Sequence, residues 1–200
     1  MNEQLWWYIA RASGLVAWWL LAFAVSWGVL YRSKLVAGRK VPKWLLATHR
    51  FTGGTAITFT GIHIGALVAD SYVHFGLADL FIPYASDWKS GAVAWGIVAF
   101  WLLAAVQITS WLMQRLPRRL WLAVHLTSYP LFVSATMHAA TAGTDAQNRL
   151  WMAAVALALV LTTFLVSFRI LGDPRKTRTS TPPRADLPAR ERVTADSTAP

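Results

Sequence analysis

Five long apolar runs constrain this chain more than any other feature of its sequence. A helix needs about 20 consecutive apolar residues to cross the hydrocarbon layer of a bilayer. The chain has 200 residues and is 56% hydrophobic, and the five runs take up most of it. The sequence therefore predicts an all-α integral membrane helical bundle with five transmembrane helices. The predicted spans are Leu5–Leu30, Trp44–Ala69, Gly91–Met113, Leu120–Ala142 and Leu150–Leu171.

The composition changes near residue 172. Residues 1–172 form one predicted membrane domain, in which the first run is a retained helix rather than a signal peptide because Glu3 precedes it and no basic segment does. Residues 173–200 are rich in Pro, Thr, Arg and Ala, and they carry few large apolar side chains. Such a segment cannot bury enough surface to offset its ordering entropy. We expect a disordered cytoplasmic tail there.

The net charge of +10 is concentrated in alternate loops. Basic residues follow the first, third and fifth spans, while the other two loops are acidic or nearly neutral. Because Lys and Arg accumulate on the cytoplasmic side of membrane proteins, the pattern predicts an outer N-terminus and a cytoplasmic C-terminus. It also explains the charge without nucleic acid as a partner. We expect a multi-pass protein of a bacterial plasma membrane, in contact with the lipid bilayer.

Four of the five histidines lie within two predicted spans. His49 and His63 lie in the second span and His125 and His138 in the fourth, whereas His74 falls where the second span ends and receives no role. On an ideal helix, His49 and His63 are about 21 Å apart and differ in direction by about 40°. Both spans are expected to run outwards. We therefore expect an inner pair, His49 with His125, and an outer pair, His63 with His138.

One part of this geometry fits poorly. On an ideal helix, His125 and His138 point about 140° away from each other. Pro130 lies between them and is expected to bend the fourth span. A bend would be needed to direct both imidazoles towards the second span.

Two imidazoles that face each other at one depth suit a haem iron, which takes one nitrogen on each side of the porphyrin. The chain has no cysteine, which excludes thiolate-ligated haem and cysteine-held iron–sulfur clusters. Zinc needs more ligands than a histidine pair supplies, and a proton relay would need carboxylates that the span interiors lack. Without a cofactor, each histidine would form a hydrogen bond between helices. The matched depths favour two b-type haems with the four histidines as iron ligands.

Small and polar residues near the histidines are candidates for the same sites. Glycines would let a flat ring approach the second span, although they also let helices pack closely. Hydroxyl groups and backbone carbonyls would accept hydrogen bonds from the imidazole nitrogens that do not bind iron. The glycines are Gly53, Gly54, Gly61 and Gly65. The hydroxyl residues are Thr48, Thr60 and Ser134.

Haem propionates need cations or water beside them. Arg50 and Arg118 are the candidates at the inner site, and Arg11 is the candidate at the outer site. The same arginines would also suit snorkelling or the positive-inside pattern. Phe59 and Phe132 lie at middle depths and could fill the space between two rings.

These residues resemble the ferric reductase-like transmembrane domain. That family includes ferric-chelate reductases, the membrane part of NADPH oxidases and the haem subunit of the bacterial methionine sulfoxide reductase system. Its pattern is a histidine pair on one helix and a similarly spaced pair two helices later. Here the pattern reads THRFTGGTAITFTGIHIG and WLAVHLTSYPLFVSATMHAATAGTD. The resemblance covers roughly residues 5–172, and it implies a cytochrome b with two haems, although many members have six spans.

The resemblance implies transmembrane electron transfer. Electrons would enter the inner haem from a cytoplasmic flavoprotein or from quinol, and they would leave the outer haem for an acceptor outside, such as ferric iron, oxygen or a redox protein. Oxidase-type members continue into a flavin and nicotinamide domain, but this sequence has no G-x-G-x-x-G after a strand. We therefore expect an oxidoreductase component to which FAD, FMN or NAD(P)H would contribute only through a separate partner.

Two other functions remain open at this point. The helices could serve only as a membrane anchor or assembly subunit of a redox complex, in which case the four histidines would be dispensable. Alternatively, the haems could carry electrons inwards from an external donor.

Overall fold

The computed structural model describes residues 3–31, 43–70, 75–143 and 148–171, and seven helices make up most of these ranges. The helices are α1 (Glu3–Tyr31), α2 (Lys43–Ala69), α3 (Leu77–Phe81), α4 (Ser90–Trp111), α5 (Arg118–Leu126), α6 (Ser128–Ala142) and α7 (Arg149–Leu171). The expectations for the tail at 173–200 and for His74 lie outside the described residues.

Five stretches are long and apolar enough to cross a membrane. The fourth of them combines α5 and α6, and the short helix α3 lies in the connection between α2 and α4. The prediction of an all-α membrane bundle with five spans is therefore confirmed, while the direction of the spans stays a prediction. The five stretches are Gln4–Leu30, Lys43–Ala69, Ser90–Trp111, Arg118–Ala142 and Arg149–Ser167.

The buried core lies where α1, α4, α6 and α7 meet. Trp18 is its largest side chain, and it packs against Phe132 of α6 and Trp151 of α7. Large apolar side chains on the outside of the bundle remain exposed, for example Phe51 at 75% and Phe164 at 63%. Lipid tails are as apolar as these side chains, so their exposure to a bilayer is not unfavourable.

The fourth span is interrupted between α5 and α6. Pro130 has no N–H with which to bond the carbonyl four residues earlier, so the α-helical hydrogen-bond ladder cannot continue through this point. Instead, the backbone N–H of Thr127 donates to the carbonyl of Val124 at 3.0 Å, which tightens the last turn of α5. The ladder resumes where the N–H of Leu131 donates to the carbonyl of Thr127 at 2.9 Å. The helix is thus interrupted in the region where the sequence predicts a bend, between His125 and His138.

Helices α1 and α2 pack against each other along most of their length, and α4 packs mainly against α6. Helices α2 and α6, which carry three of the four histidines, are therefore each backed by another span. His49 and His63 lie on α2 beside α1, and His138 lies on α6 beside α4. The backbones of α1 and α4 are consequently within reach of the imidazoles.

Replacement of Trp18 by Phe tests the most buried interhelical hydrogen bond of this core. Trp18 is 3% exposed, and its indole N–H donates to Oγ1 of Thr136 at 3.0 Å. We expect Trp18→Phe to lower the free energy of unfolding in detergent by about 1 kcal/mol, a typical value for a hydrogen bond between membrane helices. The adjacent Trp19 is 46% exposed, so Trp19→Phe is the matched control. Equal unfolding midpoints for the two variants, followed by circular dichroism, would contradict this account.

Candidate metal centres

The structure brings the four membrane histidines together in two pairs. His49 of α2 and His125 of α5, here called the first pair, have ring centroids 6.0 Å apart and ring planes at 68°. His63 of α2 and His138 of α6, the second pair, have centroids 6.2 Å apart and planes at 77°. A metal–imidazole bond is about 2 Å long and the bonded nitrogen lies about 1 Å from the ring centroid, so two imidazoles on opposite sides of one metal ion have centroids about 6 Å apart. Each pair has this spacing.

Each pair offers two imidazole nitrogens and no further protein ligand. Within residues 3–31, 43–70, 75–143 and 148–171, no three His, Cys, Asp or Glu side chains lie close enough to share a metal ion. Two nitrogens do not complete the tetrahedral shell that zinc prefers. A haem iron needs only these two from the protein, because the porphyrin supplies the remaining ligands. The donor set therefore fits a haem, and the ligand role of the histidines stays a prediction.

Both imidazoles of the second pair are held by backbone carbonyls of neighbouring helices. Nδ1 of His63 lies 2.7 Å from the carbonyl oxygen of Ala10 in α1, and Nδ1 of His138 lies 2.8 Å from that of Ala92 in α4. A carbonyl oxygen can only accept, so each Nδ1 carries the proton and donates it. The lone pair of each ring is then on Nε2, where neutral imidazole can bind a metal.

The hydroxyl group of Thr60, which the sequence offered as a partner for an imidazole, is engaged elsewhere. Oγ1 of Thr60 donates to the carbonyl of Ala56 at 2.9 Å, within its own helix. The second pair therefore uses backbone carbonyls as its hydrogen-bond acceptors, and not hydroxyl groups. Hydroxyl residues in membrane helices often satisfy themselves in this way, against the carbonyl four residues earlier.

Three glycines contact the histidine rings, and none of them is on α2. A Cβ atom on Gly14 would lie 3.0 Å from Nδ1 of His63, and one on Gly96 would lie 2.7 Å from Nδ1 of His138. A Cβ atom on Gly28 would lie 3.2 Å from Cε1 of His49. These contacts escaped sequence analysis, which had singled out glycines of the second span. Of those, Gly54, Gly61 and Gly65 have open space where a Cβ atom would be.

The first pair is built differently from the second. Nδ1 of His49 is buried and has no hydrogen-bond partner among the described residues. The ring of His125 stacks on Trp121, with centroids 5.0 Å apart and planes at 23°. The indole N–H of Trp27 donates to the carbonyl of Leu45 at 3.0 Å and ties α1 to α2, one turn before His49. The backbone carbonyl of Ala24 faces the ring of His49 but does not reach hydrogen-bond geometry.

A cavity of about 390 Å³ adjoins the second pair. Its wall includes His63 and His138, and it is lined mainly by apolar side chains such as Trp18 and Phe100. Arg11 also lines it, and the guanidinium carbon of Arg11 lies 5.2 Å from the ring centroid of Trp7. Ligand cavities in proteins are typically about 300–1,000 Å³ and predominantly apolar. The cavity therefore has the character of a cofactor site.

The other two arginines predicted for propionates lie at the opposite end of the bundle. Arg50 follows His49 directly on α2, and Arg118 is the first residue of α5. Both side chains are exposed. Of the three arginines, Arg11 is therefore the one that lines the cavity beside the second pair.

Two buried aromatic side chains, Phe132 and Trp18, pack against each other on helices α6 and α1. Phe132 lies between His125 and His138 in the sequence, and it is 3% exposed. Its ring stacks on Trp18 of α1, with centroids 6.0 Å apart and planes at 28°. Phe59, the other aromatic residue considered for the space between two rings, is only half-buried. Of the two phenylalanines, Phe132 is therefore the one that packs in the core.

Comparison with known proteins gives one match. A family model described as "Ferric reductase like transmembrane component" matches residues 13–136. No curated protein and no solved structure matches the chain. The matched stretch includes His49, His63 and His125, and it ends two residues before His138.

Removal of the charge of Arg11 tests the assignment of the cavity. If Arg11 faces a haem propionate there, we expect Arg11→Gln to weaken haem retention at the second pair by about tenfold, the lower end of the range for groups that support a metal site. Arg149→Gln removes the same charge from an exposed side chain at the start of α7 and is the control. Haem titration of the purified apoprotein measures the effect. Equal losses in both variants would indicate a general effect of charge.

Proposed function

The chain belongs to the ferric reductase-like transmembrane family, and we propose that it is a di-haem cytochrome of the b type that carries electrons across a membrane. The main support is the presence of two histidine pairs, each with the spacing of axial ligands, on three helices of one bundle. Membrane electron transfer is the activity of the family as a whole. The number of haems, the ligands and the partners are part of the proposal.

In this proposal, His49 and His125 hold one haem, and His63 and His138 hold the other. A haem with both axial positions occupied by imidazole exchanges single electrons and has no open position for oxygen. The two levels are about 21 Å apart along α2, which is most of the thickness of the hydrocarbon layer. Trp18 and Phe132, which are stacked on each other, are buried in the core of the same bundle.

The proposed direction follows from the charges of the loops. With the N-terminus outside, the first pair lies near the cytoplasm and the second near the outer face. Electrons would come from a cytoplasmic flavoprotein or from quinol and leave for an acceptor outside, and any flavin or nicotinamide would belong to the donor. Arg115, Arg118 and Arg119 are exposed at the proposed cytoplasmic end. Their charge suits an acidic partner surface or anionic lipid headgroups.

Haem counting in histidine variants tests the proposed function. We expect two haems per chain in the unmodified protein, and one in His63→Ala or His138→Ala because each ring needs both of its axial ligands. The pyridine haemochrome assay gives the count, and the reduced-minus-oxidised spectrum identifies the haem that remains. His74→Ala, outside the predicted spans, is the control and should retain both. A count of one or none in the unmodified protein would refute the di-haem proposal.

The same variants distinguish electron transfer from a purely anchoring role. If the protein only assembles a redox complex, replacement of all four histidines should leave both assembly and electron flow through the complex intact. If the pairs hold haems, assembly can persist but transmembrane electron flow is lost.

The orientation can be tested independently because the chain has no native cysteine. Asp87 lies in the connection between α3 and α4, Gln114 lies between α4 and α5, and both are exposed. We expect a membrane-impermeant maleimide to label Asp87→Cys in intact cells and Gln114→Cys only after lysis. The reverse pattern would overturn the proposed orientation without affecting the assignment of the haem ligands.

A further inference from the structure

We propose that Gly14 and Gly96 are positioning residues for the second pair. Because these glycines lack a Cβ atom, His63 and His138 can reach backbone carbonyls of α1 and α4 that a side chain would otherwise shield. The carbonyls then set the direction and the protonation of both rings. This inference rests on the proposed haem-binding function and concerns how the ligands are held.

The geometry follows from the hydrogen-bond pattern of the α-helix. The carbonyl of each residue accepts the N–H of the residue four positions later, and its oxygen has a second lone pair that points past that residue's side chain. Gly14 is four positions after Ala10, and Gly96 is four positions after Ala92. The imidazole therefore approaches an oxygen that lies directly beside the missing Cβ atom, and at Ala10 the hydroxyl of Ser13 also donates to that oxygen, at 3.2 Å.

A Cβ atom would crowd the histidine ring at both glycines, and it would do so more severely at Gly96 than at Gly14. Nδ1 of His63 is 2.7 Å from the oxygen of Ala10, and it would be 3.0 Å from a Cβ atom on Gly14. Nδ1 of His138 is 2.8 Å from the oxygen of Ala92, and it would be 2.7 Å from a Cβ atom on Gly96. A hydrogen bond of this length and a methyl group at this distance cannot coexist unless the ring or the helix moves.

The glycines could instead serve only to let helices pack closely. The atoms around them argue against this. The three atoms nearest to a Cβ position on Gly14 all belong to the ring of His63, and the three nearest on Gly96 all belong to the ring of His138. A glycine that served helix packing would have the backbone of the neighbouring helix as its closest contact.

The same arrangement recurs along the sequence. The segments ARASG, AVSWG and AVAWG each place a glycine four residues after an alanine, at Gly14, Gly28 and Gly96. Gly14 and Gly28 are fourteen residues apart on α1, as are His49 and His63 on α2. Gly28 contacts His49 and Gly14 contacts His63, so the two antiparallel helices are in register.

At Gly28 the contact between the glycine and the histidine ring is present, but the hydrogen bond is not formed. The ring of His49 touches the Cβ position of Gly28 through Cε1, at 3.2 Å, and the carbonyl of Ala24 faces the ring. However, Nδ1 of His49 does not meet the geometry of a hydrogen bond in the described part of the chain. We therefore assign the positioning role to the two glycines of the second pair, where the hydrogen bonds are formed.

A bond from Nδ1–H to a carbonyl makes Nε2 a better electron donor to a metal. Loss of such a supporting group typically weakens metal binding by about 10- to 100-fold. Electron donation favours ferric over ferrous iron, so its loss should raise the midpoint potential of the haem concerned. A tenfold change in the ratio of the two affinities corresponds to about 59 mV for one electron.

The test compares Gly14→Ala and Gly96→Ala with Gly91→Ala in the full-length purified protein. Gly91 lies on α4 with Gly96, and no atom lies within 4 Å of its Cβ position. We expect a higher midpoint potential and a changed low-temperature EPR signal for the outer haem alone. The change should be larger for Gly96→Ala than for Gly14→Ala, since its contact is closer. Gly91→Ala should match the unmodified protein.

Each outcome decides the inference. Loss of the outer haem in Gly96→Ala while the inner haem is retained would support it, as would the graded shift in potential. Values for both variants that equal those of Gly91→Ala would overturn it. Equal changes at the two haems would also overturn it, because they would indicate a general role in helix packing. A haem count below two in the unmodified protein would instead refute the proposed function on which it rests.

Discussion

Every polar group in the hydrocarbon layer needs a hydrogen-bond partner within the protein. This requirement governs the structure. Helices satisfy their own backbones, but an imidazole on a transmembrane helix must find its partner on another one. For His63 and His138 that partner is a backbone carbonyl, on α1 and on α4 respectively. The helices that carry the histidines are thus fixed in rotation and depth against helices that carry none.

The interruption of the fourth span affects the directions in which the imidazoles of His125 and His138 point. An uninterrupted helix would turn the imidazoles of His125 and His138 to different sides. Because Pro130 cannot continue the ladder, α5 ends at Leu126 and α6 begins at Ser128. The two short helices can therefore each present a histidine to α2, and both pairs have about the same separation of ring centroids, 6.0 and 6.2 Å.

The two pairs are similar in spacing but differ in their surroundings. Both rings of the second pair donate to carbonyls, while the first pair has Trp121 stacked on His125 and a buried nitrogen of His49 without a hydrogen-bond partner among the described residues. Hydrogen bonds to axial ligands and the polarity around a haem are among the means by which a protein sets its potential. If each pair holds a haem, as proposed, the different surroundings would give the two haems different potentials.

The sequence by itself determined the five spans, the two depths of the four histidines and the interruption near Pro130, because hydropathy, helical rise and the missing N–H of proline are properties of one segment at a time. It did not determine which residues touch the imidazoles. The glycines beside His49 and His63 in the sequence, such as Gly54 and Gly61, face open space, whereas Gly14 and Gly96 of other helices meet the rings. Only the tertiary structure decided this, because contacts between helices depend on their relative rotation and depth, which the periodicity of a single helix does not contain.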